Sequence, residues 1–182
     1  MARRADKHKS GAEGQPSSLL NSVPAQPAQG PLSRLAEAVK SSVTPGPSPQ
    51  DVQQEIENLR HSLKQIKVVA FIGPSGTGKS TRAIRVAKEN HIAYLIDDGL
   101  LIKGSRIVAG TSAKKAASKT DSVRQALLAD ETRAQTMRRT LADHLPDPLM
   151  ILGTSDGMLE KICKNLWLDQ PSRLIRIEDV SS

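Results

Sequence analysis

Eight consecutive residues constrain this chain more than any others: Gly73-Pro74-Ser75-Gly76-Thr77-Gly78-Lys79-Ser80. The apolar run Lys67-Val68-Val69-Ala70-Phe71-Ile72 stops at Gly73. Short, apolar and ended by glycine, it reads as a buried strand. A helix-forming stretch then runs from Gly78 to about Asn90, with Ala83, Ile84, Val86 and Ala87 available for packing. A strand that turns through glycines into a helix can curl successive backbone N–H groups inward as an anion nest. The helix adds the positive end of its dipole. Lysine reaches far enough to touch a terminal phosphate, and a serine hydroxyl is a hard ligand for Mg²⁺. The pattern G-x-x-x-x-G-K-[ST] therefore predicts that Gly73 through Ser80 cradle a phosphate chain. Thr81, the next residue, supports the first helical turn beside it.

Downstream, strands alternate with helices. His91-Ile92-Ala93-Tyr94-Leu95-Ile96 reads as a second strand, ended by Asp97-Asp98-Gly99. Leu100–Ile102 and Arg106–Ala109 flank Gly104-Ser105 and predict a small hairpin. Residues 110–120 are basic and small. Val123 to His144 reads as one long helix stopped by Pro146, with Val123, Leu127, Ala134, Met137 and Leu141 along one side. Leu149–Leu152 is a third strand, and Leu159, Ile162, Cys163 and Leu166 are the inward side of a further helix. Leu174–Ile177 is a fourth strand. The alternation predicts an α/β fold with a small, mostly parallel sheet and helices on both faces.

With the glycine loop in this context, the chain resembles the P-loop NTPase superfamily over about residues 66–177. The resemblance implies a three-layer, doubly wound sheet that binds ATP or GTP with Mg²⁺. Lys79 and Ser80 then stand at the terminal phosphates and the metal. A finer resemblance lies in IDDGLLIKGSRIVAGTSAKK and the closing RLIRIEDV, which look like uncharacterised P-loop proteins of Gram-positive bacteria. It implies a bacterial protein and names no substrate.

The domain organisation follows from composition. Residues 1–47 are rich in Ser, Pro, Gln, Gly and Ala, and such a segment buries too little apolar area to offset chain entropy. It is predicted to be a disordered tail ahead of a nucleotide-binding domain over 48–182. Within the tail, Leu32, Leu35, Val39 and Val43 fall at helical spacing. They read as a transient helix or as one that orders on a partner. The domain opens on a helix over 49–65, with Ser48 as cap, Pro49 in the first turn and Asp51 favoured by the helix dipole. Val52, Ile56, Leu59, Leu63 and Ile66 form a heptad seam of about two heptads, short for a coiled coil. Packing on its own domain is the favoured reading over dimerisation. Residues 32–43 and 52–66 are thus the two candidate segments for a protein partner.

Composition removes several classes of function. Aromatic residues are 2% of the chain (Phe71, Tyr94 and Trp167), which argues against base-stacking platforms. One cysteine, Cys163, excludes an intramolecular disulfide framework and a cysteine-based zinc site, and fits the reducing cytoplasm expected for this chain. The net charge of +7 permits non-specific phosphate contact, but nucleic acid is not the expected partner. No run of about 18 apolar residues exists, so no membrane span is expected. The start is basic without an apolar region after it, so no secretory signal is expected either. His8, His61, His91 and His144 show no ligand spacing.

Asp97 and Asp98 end an apolar strand, as a magnesium-ligating acid does. An acid at that place can equally contact an acceptor substrate, or Asp98-Gly99 can be a simple turn. Asp97 with Ser80 is the candidate Mg²⁺ pair, and Asp98 with Lys79 the candidate catalytic pair. Thr154 and Ser155, after the third strand, sense a phosphate or cap the next helix, the cap being favoured. Lys103, Arg106, Lys114, Lys115, Lys119, Arg124, Arg133, Arg138 and Arg139 read as a solvated basic face or as a lid supplying charge in phosphoryl transfer. The expected function is Mg²⁺-dependent binding of ATP or GTP with phosphoryl transfer or slow hydrolysis. The alternative is a nucleotide-gated adaptor acting through the tail and first helix.

Overall fold

The computed structural model describes residue 32 and residues 44–180. Most of the predicted tail and its helical segment, Leu32 excepted, therefore lie outside the described residues. The unit Pro47–Ser182 is described here.

It begins with α1, Pro49–Lys64. The Ser48 hydroxyl accepts the Asp51 N–H, and the Asp51 carboxylate accepts the Ser48 N–H at 3.0 Å. These reciprocal bonds satisfy two otherwise orphaned donors and hold the Asp51 carboxyl below its ordinary pKa. The heptad seam is used within the domain. Leu63 and Ile66 are buried, Ile56 and Leu59 are half-buried, and only Val52 is exposed. The face packs against α4, Glu131–His144.

The sheet has six strands: β1 Val68–Ile72, β2 Tyr94–Asp97, β3 Leu100–Lys103, β4 Arg106–Gly110, β5 Leu149–Gly153 and β6 Arg173–Arg176. Their order is β4-β3-β2-β5-β1-β6. β1 pairs in parallel with β5 and β6, and β2 in parallel with β5. β3 and β4 are antiparallel, so the sheet is mixed. The cause is local. Asp97 pairs with Leu100, and Asp98 and Gly99 between them have φ of +48° and +79°. Two left-handed residues make the tight turn whose twist matches its strands. A second turn at Gly104-Ser105 repeats the reversal, so the chain extends the sheet edge before any helix intervenes.

Two packed clusters show that both faces of the sheet are covered. On one, Ala83, Val86 and Ala87 of α2, Lys79–Glu89, meet Val69, Phe71, Leu95, Met150 and Leu152. On the other, Leu63 of α1, Met137 and Leu141 of α4, and Leu159, Ile162 and Cys163 of α5, Asp156–Asn165, meet Val68, Ala70, Ile72 and Ile151. Alternate residues of β1 thus enter opposite clusters, as the pleat requires. Every β1 residue is buried.

The predicted long helix is two. α3, Lys119–Ala126, ends before Leu128, which has φ +52°, and α4 starts after Asp130. The Asp130 carboxylate accepts the Arg133 N–H at 3.0 Å, an N-cap in the middle of an otherwise helical pattern. The Asn165 amide donates to the Leu127 carbonyl at 2.9 Å, so the broken end is satisfied. Strand edges also move. β2 begins at Tyr94 rather than His91, because His91 has φ +57° and Ile92 still donates to Ala87 of the preceding helix.

Arg138 corrects a second expectation. It belongs neither to a solvated face nor to a lid: it is 3% exposed. Its guanidinium makes a two-pronged contact with Glu131 at 2.8 and 3.2 Å and donates to the Asn165 carbonyl at 2.9 Å. It also covers Trp167, with Arg60 at the same 4.0 Å from the ring centre. The Arg138 hydrogen bonds, and then its charge, draw the Glu131 pKa below its ordinary value. That small contribution is present above the ordinary glutamate pKa and fades as pH falls through the lowered one. Arg138→Ala leaves the half-buried Asn165 carbonyl without its donor and strips the Trp167 ring, so it should cost about 3 kcal/mol. Chemical denaturation of the intact chain measures the loss.

Candidate functional site

β1, β2 and β5 run in parallel, so their carboxyl ends lie on one edge of the sheet. Chain paths leave β1 and β5 in opposite directions: α2 leads to β2 on one side, and α5 leads across β1 to β6 on the other. Open α/β sheets bind ligands in the crevice where such paths diverge. The glycine loop sits there.

Gly73 is buried, and its N–H donates to Gly153 across the sheet at 3.1 Å. A Cβ on Gly73 would come within 2.8 Å of Ile177, so glycine is needed for this approach. Thr77 closes the loop by donating its hydroxyl to the Pro74 carbonyl at 2.7 Å. Gly73 and Thr77 therefore shape the loop. Pro74, Ser75, Gly76, Gly78, Lys79, Ser80 and Thr81 line a cavity of about 290 Å³ together with Asp97, Asp98 and Lys114.

Gly78, at φ +74°, is the N-cap of α2, and no side chain caps this end. Four other helices begin on a capping side chain: Ser48, Ser118, Asp130 and Ser155. α2 alone among the described α-helices of this unit leaves its first N–H groups without one. Such groups point along the helix axis and favour negative charge. Inside the cavity, the Ser80 hydroxyl donates to Asp97 Oδ2 at 2.5 Å. This puts two hard oxygens side by side at the helix start. No cluster of three or more His, Cys, Asp or Glu residues suited to a metal occurs among the described residues. An ion here would take one carboxylate, one hydroxyl and ligands from elsewhere, the donor set of Mg²⁺ beside phosphates.

Asp98 both makes a turn and lines the cavity. Its backbone makes the hairpin turn, and its carboxylate faces the cavity, 3.4 Å from Lys114 Nζ. Ala113 N–H donates to the Asp98 carbonyl at 3.0 Å. Lys114 is thus the one member of the basic stretch at the loop. The sequence showed it only as one lysine among several, because the contact depends on two tight turns folding residues 98 and 114 together. Arg139 pairs with Glu55, and Arg133 lines a different cavity. Ser155 is a cap: its hydroxyl accepts the Met158 N–H at 3.2 Å. Thr154 is exposed and outside the cavity. Burial pushes the Cys163 thiol up to about 11, so it is an inert packing group.

No known protein family, curated protein or solved structure matches this chain. Among the described residues, no helix is long and apolar enough to cross a membrane.

Proposed function

We propose that this chain is a P-loop NTPase that binds ATP or GTP with Mg²⁺ and transfers or slowly hydrolyses the terminal phosphate. The observation that carries the reading is the uncapped start of α2 at Gly78, opening onto a cavity that also holds Lys79 and the Ser80–Asp97 pair. The loop amides and Lys79 would grip the phosphate oxygens, and Ser80 and Asp97 would hold the metal. When bound, Mg²⁺ neutralises charge on the β- and γ-phosphate oxygens. In the transfer, an acceptor oxygen forms a bond to the γ-phosphorus as the bond to the β–γ bridging oxygen breaks. The nucleoside diphosphate leaves, and the Asp98 carboxylate takes the acceptor's proton. In hydrolysis the acceptor is water. Lys114, beside Asp98, supplies positive charge near the reacting oxygens.

Calorimetric titration with ATP and with GTP, each with Mg²⁺ and with EDTA, tests the reading. Wild type should bind one of them at least tenfold more tightly with Mg²⁺, a difference of about 1.4 kcal/mol. Asp97→Asn should remove most of that difference. Equal affinity with and without metal, in both proteins, would overturn the assignment of Ser80 and Asp97. Phosphate release in the same samples reports turnover.

A further inference from the structure

A second cavity, of about 210 Å³, lies at the same hairpin turn. It is bounded by Gly99 and Thr111 of the hairpin region, Gln125 of α3, and Thr132, Arg133 and Thr136 of α4. Asp98 lines the loop cavity and Gly99 lines this one, so adjacent residues of one turn border the two cavities. The break between α3 and α4 creates the pocket. A continuous helix would not bring Gln125 and Arg133 to it from two directions.

Two atoms here are anomalous. Gln125 Oε1 and Arg133 Nη1 are buried and have no hydrogen-bond partner. They are the only such side-chain atoms among the described residues. One is an acceptor that lacks a donor, and the other is a cationic donor that lacks an acceptor. They do not satisfy each other. The Arg133 guanidinium is also in none of the ion pairs of the described residues. Buried polar groups in folded proteins nearly always find partners, and a lasting exception calls for a ligand or water. The space is several times the roughly 30 Å³ share of one water. It is smaller than the about 300–1,000 Å³ typical of drug-sized ligands.

We propose that this cavity binds a small carboxylate that also carries a hydroxyl or amino group. The carboxylate meets Arg133, whose planar fork matches it. The hydroxyl or amine donates to Gln125 Oε1. Thr111, Thr132 and Thr136 also line the pocket. Because adjacent residues of the Asp98–Gly99 turn border the two cavities, we assign this compound as the phosphoryl acceptor. That role rests on the nucleotide reading above, whereas the binding does not.

The test is calorimetric titration of the full chain with D-glycerate and with L-serine. Propionate, which has the carboxylate but no donor, and glycerol, which has hydroxyls but no anion, are the comparisons. Wild type should bind glycerate or serine saturably and at least tenfold more tightly than propionate or glycerol. Arg133→Gln should weaken that binding at least tenfold, Gln125→Leu should weaken it severalfold, and Arg133→Lys should recover part of it. Circular dichroism verifies that each variant is folded. Failure of both compounds to bind, binding unchanged by Arg133→Gln, or equal binding of propionate would overturn the proposal. Titration of the same wild-type sample with Mg·ATP and Mg·GTP separates the two readings. Glycerate or serine binding without nucleotide binding sinks only the phosphoryl-transfer role, and the converse sinks only this pocket.

Discussion

On the proposed nucleotide-binding reading, Lys79→Ala should remove most of the thermal stabilisation that Mg·nucleotide gives the intact chain. A ligand that binds only the native state stabilises it by RT ln(1 + [L]/Kd), about 2.7 kcal/mol at a hundred times Kd. For a folded unit of this size, that raises the melting temperature by about 5–10 °C. Lys79 opens α2 at the cavity and is half-buried. Removing its cation from a polyphosphate should weaken binding about a hundredfold, and the same ligand concentration then yields only about 0.4 kcal/mol, or roughly 1 °C. The unliganded variant should melt within about 2 °C of wild type, because no salt bridge of the described residues involves Lys79 and surface charges contribute little. Differential scanning fluorimetry with ATP and GTP reads both quantities. Equal shifts for the two proteins would show that Lys79 does not touch the phosphates. Loss of the shift with a large fall in the unliganded melting temperature would show a structural role instead.

The part of this geometry that could be read from sequence is the part set by neighbours along the chain. Gly73 to Ser80 follows an apolar strand and opens a helix, and the structure has that order because each step is local. The Ser48–Asp51 cap and the inward side of α5 were legible for the same reason. The buried end of the α1 seam followed from its spacing and short length. What was not legible depends on partners distant in sequence, or on turns with two readings. Asp98-Gly99 carried both a turn signal and an acid signal; the structure has the turn, with the Asp98 carboxylate at the cavity. Apolar periodicity ran through residues 123–144 because Leu127 and Leu128 stay on the core side even where the helix stops. The capping signal at Asp130 was the overlooked mark. Arg138 resembled its exposed neighbours because nothing local announces that Glu131, Asn165 and Trp167 will surround it. Lys114 was hidden for the same reason among Lys115 and Lys119.

Gly110→Ala should be among the most damaging single substitutions in the chain, although Gly110 is solvent-exposed. Its φ is +95°, which L side chains rarely adopt. A Cβ there would lie 2.1 Å from the Gly99 carbonyl oxygen and 3.2 Å from the Gly99 carbonyl carbon. Both atoms are backbone, so no side chain can rotate away. Gly110 pairs with Leu100 directly beyond the Asp98–Gly99 turn. Gly99 is itself closely neighboured, a Cβ built on it lying 2.7 Å from the Gln125 carbonyl oxygen. Backbone strain and the clash together should cost about 3 kcal/mol or more, a fall of about 10 °C in melting temperature. Gly104→Ala is the matched comparison. That residue also has a left-handed φ, +62°, but nothing lies within 4 Å of its Cβ position. It should lose only about 1 kcal/mol. The larger loss also reaches function, because displacing Gly99 displaces Asp98, whose carbonyl accepts the Ala113 N–H and whose carboxylate stands beside Lys114. On the proposed NTPase reading, phosphate release should therefore fall more in Gly110→Ala than in Gly104→Ala, measured at a temperature where both are folded. Equal destabilisation by the two substitutions would mean that the hairpin is not held by this glycine-on-glycine contact, and would remove the structural link between the turn and the site.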